Sequence, residues 1–164
     1  MPSFSFDIVS DYDKAEMNNV FAAVERDVAN RFDFKGTPAA IEWLGDKTGF
    51  KLIGAGEWQC ETLLDIIRKK LTSRNQSSKV LDLSKPVVES NLKATWEIPF
   101  KHGLSQDNAK LITKQLRDEA PKVKAQIQGD AVRVTSSSKD ELQKVIQLLQ
   151  AADYDFPLQF TNYR

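Results

Sequence analysis

The stretch KVKAQIQGDAVRVTSSS, residues 122–138, alternates apolar and polar side chains on both sides of a Gly129-Asp130 pair. Successive side chains of a strand point to opposite faces, and a Gly-Asp pair is typical of a tight turn. The sequence therefore predicts a β-hairpin with one face of valine, alanine and isoleucine. The other face carries cations, amides and a hydroxyl group, from Lys122, Lys124, Gln126, Gln128, Arg133 and Thr135.

Segments of the same kinds recur along the rest of the chain in a fixed order. The first half is predicted to begin with a strand at 4–9, a helix that begins after Asp13 and a strand from the stretch 30–36 toward Trp43. A strand at 50–54, a helix over 60–71 and a short strand at 80–83 are predicted to follow. The second half is predicted to contain a strand at 94–100, a helix that begins after Ser105, the hairpin, a helix that begins after Ser138 and a strand at 156–160. Each half therefore reads strand, helix, strand, strand, helix, strand.

This order is typical of an α+β fold with two tandem ferredoxin-like (RNP-like) sandwiches, each a four-stranded antiparallel sheet with two helices on one face. The predicted domains are residues 1–92 and 93–164, and the strand at 4–9 is left to pair in either sheet. Domains of about 80 residues bury only about two-thirds of their unfolded surface. We therefore expect the halves to pack together or to exchange a strand, with a ligand groove between them or on the open sheet faces.

The stretch NRFDFKG, residues 30–36, raises the question of whether its aromatic side chains stack on bases or belong to the core. In an extended strand, Phe32 and Phe34 share one face, and the charged residues between and beside them share the other. RNA-recognition motifs place their stacking aromatics on the open face with apolar residues between them, which this stretch does not reproduce. The sequence therefore predicts both phenylalanines beneath the helices and Arg31, Asp33 and Lys35 on the open face.

Charge and composition restrict the partners that we expect. The 164 residues include 23 basic and 23 acidic side chains, and the pI is near 6.6. Such a balance argues against sequence recognition of double-stranded DNA, which needs a strongly basic surface. The sequence has no apolar run of bilayer length and no signal-peptide pattern, and Cys60 is the only cysteine. We expect a cytoplasmic protein without membrane contact.

The residue types argue for binding rather than catalysis. His102 is the only histidine, and neither a nucleophile with its base nor a set of metal ligands can be assembled from sequence spacing. No catalytic residue, metal or cofactor is predicted. The polar faces suit phosphate oxygens and base edges, because arginine forks onto phosphate and glutamine both donates and accepts hydrogen bonds. An ordinary solvated sheet face is the alternative for the same composition.

Four segments in order carry a resemblance to a known family. The opening MPSF…FDIVS, then NRFDFKGT, then KVKAQIQGDAVRVT with SKDELQ, and finally PLQFTNYR span the chain from residue 1 to 164. The chain resembles the YajQ family of bacterial nucleotide-binding proteins. The resemblance implies a duplicated RNP-like fold and a non-enzymatic protein that binds a nucleotide. Members of the family have been linked to GTP, to transfer RNA and to cyclic di-GMP.

The residues of these segments that are expected to contact a nucleotide are Arg31, Asp33, Lys35, Lys124, Gln126, Gln128, Arg133, Asn162 and Arg164. Their roles are assigned from side-chain direction. In this hypothesis the cations hold phosphate, and the glutamines read a base or ribose edge. The expected partners are a nucleotide or RNA. The alternative function is that of a protein–protein adaptor that partners a regulator.

Overall fold

A computed structural model describes residues 3–164. Its strands are β1 (Phe4–Val9), β2 (Ala40–Leu44), β3 (Gly49–Gly54), β4 (Val88–Ser90), β5 (Lys93–Pro99), β6 (Lys124–Gln128), β7 (Ala131–Ser136) and β8 (Gln159–Thr161). Its helices are α1 (Lys14–Asn30), α2 (Glu57–Ser73), α3 (Gln106–Glu119) and α4 (Lys139–Ala151). Single 3-10 turns occupy Phe32–Phe34 and Ser78–Val80. No helix within residues 3–164 has the length and apolar character needed to cross a bilayer.

The chain divides into two compact units, and one of them is discontinuous in sequence. Residues 12–101 form the inserted unit, while the chain up to residue 11 and residues 102–164 form the terminal unit. The sheet of the terminal unit has the strand order β6-β7-β1-β8, and that of the inserted unit has the order β2-β3-β5-β4. All pairings are antiparallel. The predicted α+β fold class, with two ferredoxin-like sandwiches, is confirmed.

The units are divided differently from the predicted domains 1–92 and 93–164. Strand β1 lies between β7 and β8 in the terminal unit, whereas β5 lies between β3 and β4 in the inserted unit. The alternation of apolar residues identifies each segment as a strand and defines its buried face, but it does not specify a neighbouring strand. Pairing depends on packing between residues that are distant in sequence.

Each unit has its own apolar core between its sheet and its helices. In the inserted unit, Phe50 and Leu52 of β3 are fully buried together with Leu63 and Ile67 of α2. The core of the terminal unit contains Phe6 and Ile8 of β1, Val132 and Val134 of β7, Ile112 of α3 and Val145 of α4, all of them fully buried. In both units the helices pack on this apolar face, so the opposite face of the sheet carries no helix of its own unit.

The prediction for residues 30–36 was wrong. This stretch is a 3-10 turn that follows the end of α1 at Asn30, and its three residues point in three directions because such a turn has three residues per revolution. Phe34 points into the core and is 5% exposed, as predicted, but Phe32 is 84% exposed. Gly36 has a φ of 75°, a left-handed conformation that interrupts an extended strand.

Two other strands lie elsewhere than predicted. Residues 78–80 form a 3-10 turn, Leu81 makes only an isolated bridge to Phe100, and the closing strand of the inserted unit is Val88–Ser90. The last strand is Gln159–Thr161 instead of 156–160, and Phe156 packs in the core of the terminal unit. Buried apolar residues outside a continuous strand, such as Val80, Leu81 and Phe156, produce the same sequence signal as a short strand.

Candidate functional site

The open face of the terminal unit's sheet carries two rows of polar side chains that cross all its strands. The register places Gln126, Arg133, Asp7 and Thr161 in the first row. The second row runs from Lys124 through Thr135 and Ser5 to Arg164, whose backbone exchanges two hydrogen bonds with that of Ser5. The structure thus places the polar side of the hairpin on the helix-free face, where the sequence predicted it.

A nearly buried carboxylate lies at the centre of the first row. Asp7 is 8% exposed and accepts hydrogen bonds from Arg133 Nε at 2.9 Å, Arg133 Nη2 at 3.4 Å and Asn162 Nδ2 at 2.9 Å. The hydrogen bond from Arg133 is the main reason why the pKa of Asp7 lies below its usual value, and the charge of Arg164 acts in the same direction. The same pairing raises the pKa of Arg133. A buried charge is tolerated when it is paired in this way.

A local irregularity of the sheet brings Asn162 to this carboxylate. Asp7 lies opposite Thr161, but Ser5 pairs with Arg164, so two residues oppose the single residue Phe6. This count is that of a β-bulge, a feature that redirects side chains at a sheet edge. Asn162 has a φ of 56°, a conformation that asparagine tolerates better than most residues do. The bulge therefore allows the carboxamide to reach back across the sheet.

The side chains of the two rows carry a surplus of positive charge. Arg133, Lys124 and Arg164 are three cations and Asp7 is the one carboxylate, which gives a net charge of +2. Arg133 donates two hydrogen bonds to the carboxylate of Asp7, whereas Lys124 and Arg164 are exposed at opposite edges of the sheet. With Gln126 and Gln128 exposed on β6, this face offers cations and amides to an anionic ligand.

The open face of the inserted unit has a different character. Its charged side chains are Glu42, Lys51 and Glu97 in one row and Lys93 on the same face of β5, which together have a net charge of zero. The neighbouring row joins Ala40, Ile53, Thr95 and Val88, and it is mainly apolar. An anionic ligand is therefore less favoured on this sheet than on that of the terminal unit.

The predicted residues of the 30–36 stretch lie in the inserted unit and do not share one strand face. Arg31 donates to Asp33 from Nε at 3.0 Å and from Nη2 at 2.9 Å, which lowers the pKa of Asp33 and raises that of Arg31. Lys35 is exposed and lines a groove of about 350 Å³ together with Phe34, Glu25 and other residues. The structure thus brings Lys124, Gln126, Gln128, Arg133, Asn162 and Arg164 to one sheet, but it does not bring Arg31, Asp33 and Lys35 to that sheet.

Asp7 was missed by the sequence reasoning, although a signal was present. It is the only charged residue of β1, FSFDIV, and it stands between two residues of the core face. A carboxylate in an interior strand requires a cationic partner from a neighbouring strand. The identity of that partner, Arg133, depends on the register between β1 and β7.

The structure also describes the surroundings of the other chemically notable side chains. Cys60 is fully buried, and burial raises the pKa of its thiol to about 11. His102 Nδ1 lies 2.7 Å from Asp11 Oδ1. Within residues 3–164, no three histidine, cysteine, aspartate or glutamate side chains are grouped closely enough to hold a metal ion.

Comparison with known proteins covers almost the whole chain. A family model described as "Nucleotide-binding protein YajQ-like" matches residues 4–164. A "Nucleotide-binding protein" of Nocardioides sp. is 47% identical over 165 residues, with 100% of both chains covered. A protein of the same name from Trichormus variabilis is 46% identical, over 99% of this chain and 98% of its own. Another from Mycobacterium avium is 42% identical, with 100% of both chains covered. The chain therefore belongs to the YajQ-like family of nucleotide-binding proteins.

Proposed function

We propose that this protein binds a nucleotide without catalysing its conversion, and that the open face of the terminal unit is the binding surface. The observation that carries the proposal is the net charge of +2 on the two polar rows of that face, compared with a net charge of zero for Glu42, Lys51, Lys93 and Glu97 on the other open face. The names of the relatives support the ligand class. We also propose a cytoplasmic location, as the composition led us to expect.

The second row supplies the phosphate contacts in this proposal. Three strand spacings of about 4.8 Å separate the Cα atoms of Lys124 and Arg164, or about 14 Å in all. Their flexible side chains can approach a phosphate group from opposite edges of the sheet. Gln126 and Gln128 are exposed on the same strand as Lys124 and can hydrogen-bond to a base or a ribose edge.

We propose for Arg133 a role different from the phosphate contact that was expected from the sequence. Its Nε and Nη2 atoms donate hydrogen bonds to Asp7, so the side chain cannot form a bidentate pair with a phosphate through these two atoms. It still contributes a positive charge and its remaining N–H groups to this face. Asn162 is likewise committed to Asp7. We propose that these three side chains hold the sheet surface rigid while Lys124 and Arg164 contact the ligand.

Isothermal titration with GTP, cyclic di-GMP and transfer RNA at low salt tests the proposal. We expect binding of at least one of them, with an affinity that falls as salt is added. The double variant Lys124→Ala/Arg164→Ala should weaken that binding by roughly tenfold or more, because charge-assisted hydrogen bonds are lost. Lys69→Ala, which removes an exposed cation from α2, is the matched control. Absence of binding by the wild type to all three ligands would refute the proposal.

A protein–protein adaptor is the second candidate function, and exposed apolar residues of the inserted unit favour it. Val88 on β4 and Trp58 at the start of α2 are each 60% exposed, and the Glu57 amide donates to Glu89 at 3.2 Å between the same two elements. Exposed apolar side chains of this kind suit contact with a regulatory protein partner. Purification that repeatedly retains one stoichiometric protein and no nucleotide would favour the adaptor, provided that Trp58→Ala releases the partner.

A further inference from the structure

Phe32 is an aromatic side chain that the fold holds in solvent. It is 84% exposed, compared with 60% for Trp58 and 63% for Tyr163. Phe34, two residues later, is almost completely buried. Removal of a phenylalanine ring from water lowers the free energy, so an exposed ring favours a ligand that covers it.

The turn that carries Phe32 is tightly cross-linked by hydrogen bonds. Arg31 forms the bidentate pair with Asp33, and its guanidinium carbon lies 4.9 Å from the centre of the Phe34 ring. The hydroxyl group of Thr37 donates to the Phe34 carbonyl at 2.6 Å, and the Lys35 amide donates to the Phe32 carbonyl at 3.2 Å. The exposed ring is therefore presented by a fixed backbone, and little conformational entropy is lost when a ligand covers it.

The ring has one adjacent cation that is not neutralised within the turn. Lys35 Nζ lies 5.8 Å from the centre of the Phe32 ring, while the charge of Arg31 is balanced by Asp33. An exposed aromatic face next to an ammonium group is the combination with which proteins bind unpaired bases and their phosphates. It belongs to the inserted unit, whereas the two polar rows belong to the terminal unit.

We propose that the Phe32–Lys35 turn is a binding point for single-stranded nucleic acid, at which one unpaired base stacks on Phe32 and its phosphate contacts Lys35. The proposal rests on the proposed function, because it adds a second contact for the same class of ligand. A single exposed ring can cover only one face of a base, so the other face of a bound mononucleotide would stay in water. A strand can continue into the adjacent groove, where Phe34 and Val28 provide apolar surface beside Lys35.

Fluorescence anisotropy with labelled eight-nucleotide RNA and DNA strands of the same mixed sequence tests this inference. Phe32→Ala and Phe32→Leu should each weaken strand binding about 5- to 100-fold, the range measured when one stacking contact is removed. Phe32→Trp should retain wild-type affinity within about twofold, because it keeps an aromatic face. Leu92→Ala removes an exposed apolar side chain elsewhere in the same unit and should leave affinity unchanged. The RNA and DNA arms show which strand is the ligand.

Salt dependence gives an independent readout of the phosphate contact. Lys35→Gln should reduce the slope of log affinity against log salt by about 0.7, the value for one phosphate contact on a single strand. GTP is titrated in parallel into the wild type and Phe32→Ala. Equal GTP affinity with impaired strand binding would support a strand-specific contact.

The outcomes separate this inference from the proposed function. If the wild type binds GTP or a strand and Phe32→Ala binds the strand within twofold of wild type, the inference is overturned and the proposed function stands. The same holds if the wild type binds GTP but neither strand. If no nucleotide or strand binds, both fail. Unchanged melting temperatures of the Phe32 variants exclude loss of folding as the cause.

Discussion

At the scale of single residues, Asp7 shows how this fold retains a charge in an interior strand. Transfer of a carboxylate from water to a buried position is costly, and burial alone would raise its pKa. The hydrogen bonds from Arg133 and Asn162 outweigh that effect, so the pKa of Asp7 is lowered. The ionised carboxylate is therefore more stable in the folded chain than in the unfolded chain.

Replacement of Asp7 by asparagine should remove a stabilising contribution that depends on pH. Because the folded-state pKa of Asp7 is lowered, the contribution is fully present above the unfolded pKa near 3.8 and is lost as pH falls through the folded pKa. We expect Asp7→Asn to reduce the free energy of unfolding by about 2 kcal/mol at pH 7, the usual value for a hydrogen bond to a charged group. Urea denaturation at several pH values should show this difference shrinking below about pH 4. Asp46→Asn in the exposed β2–β3 turn is the control, and a difference independent of pH would contradict the assignment.

Cys60 should be chemically inert in the folded protein. Its thiol is fully buried, and its Sγ lies 3.6 Å from the Ala94 carbonyl oxygen. With a pKa of about 11, roughly one thiol in a thousand is ionised at pH 8. A thiol-specific chromogenic reagent should therefore react slowly with the native protein and rapidly in guanidinium chloride. Rapid reaction under native conditions would show that Cys60 is accessible.

At the scale of elements, the turn at residues 32–34 separates two phenylalanines that the sequence pattern places together. Phe34→Ala should lower the free energy of unfolding by about 3 kcal/mol, since it leaves a cavity in the core of the inserted unit. Phe32→Ala should change it by less than about 0.5 kcal/mol, because the ring is largely in solvent. Urea denaturation of both variants measures the difference. Equal losses would indicate that the stretch is a strand with both rings buried.

The helix starts provide a second comparison within elements. The Ser105 hydroxyl accepts a hydrogen bond from the Asn108 amide at 3.1 Å, whereas Ser138 occupies the same position before α4 without such a bond. Ser105→Ala should therefore destabilise the protein by about 1 kcal/mol and Ser138→Ala by much less. Thermal denaturation of the two variants measures the difference. A larger effect at Ser138 would contradict the cap assignment.

The alternation of apolar and polar residues predicted a strand where the alternation runs through the whole element, and it failed where neighbouring structure determines the backbone. Alternation around Gly129-Asp130 predicted the polar face of the β6–β7 hairpin and the buried Val132 and Val134 correctly, but Ile127, which was expected on the covered face, is 38% exposed. Residues 30–36 show the same period over a few positions only, and there the end of α1 and the left-handed Gly36 determine the backbone. The Asp7–Arg133 pair could not be predicted because it joins strands 126 positions apart in the chain.

At the scale of the whole molecule, the two units are interleaved along the chain. The chain leaves the terminal unit after residue 11 and returns to it at residue 102. One interior strand of each sheet comes from an end of its unit in the sequence. Strand β1 is the first strand of the terminal unit, and β5 is the last strand of the inserted unit. A cut at the middle of the chain, near residue 92, therefore removes an interior strand from both sheets.

Fragments of the chain should fold according to this interleaving. Residues 12–101 contain every strand of one sheet and the whole of its core, so we expect this fragment to unfold cooperatively and to give a dispersed amide NMR spectrum. Residues 93–164 lack β1, which supplies the fully buried Phe6 and Ile8, and we expect this fragment to be largely unfolded. Addition of a peptide with the sequence of residues 3–11 should restore structure to residues 102–164, because β1 pairs with both β7 and β8. Cooperative unfolding of the separate fragments 1–92 and 93–164 would contradict the interleaved arrangement and favour two sequential domains.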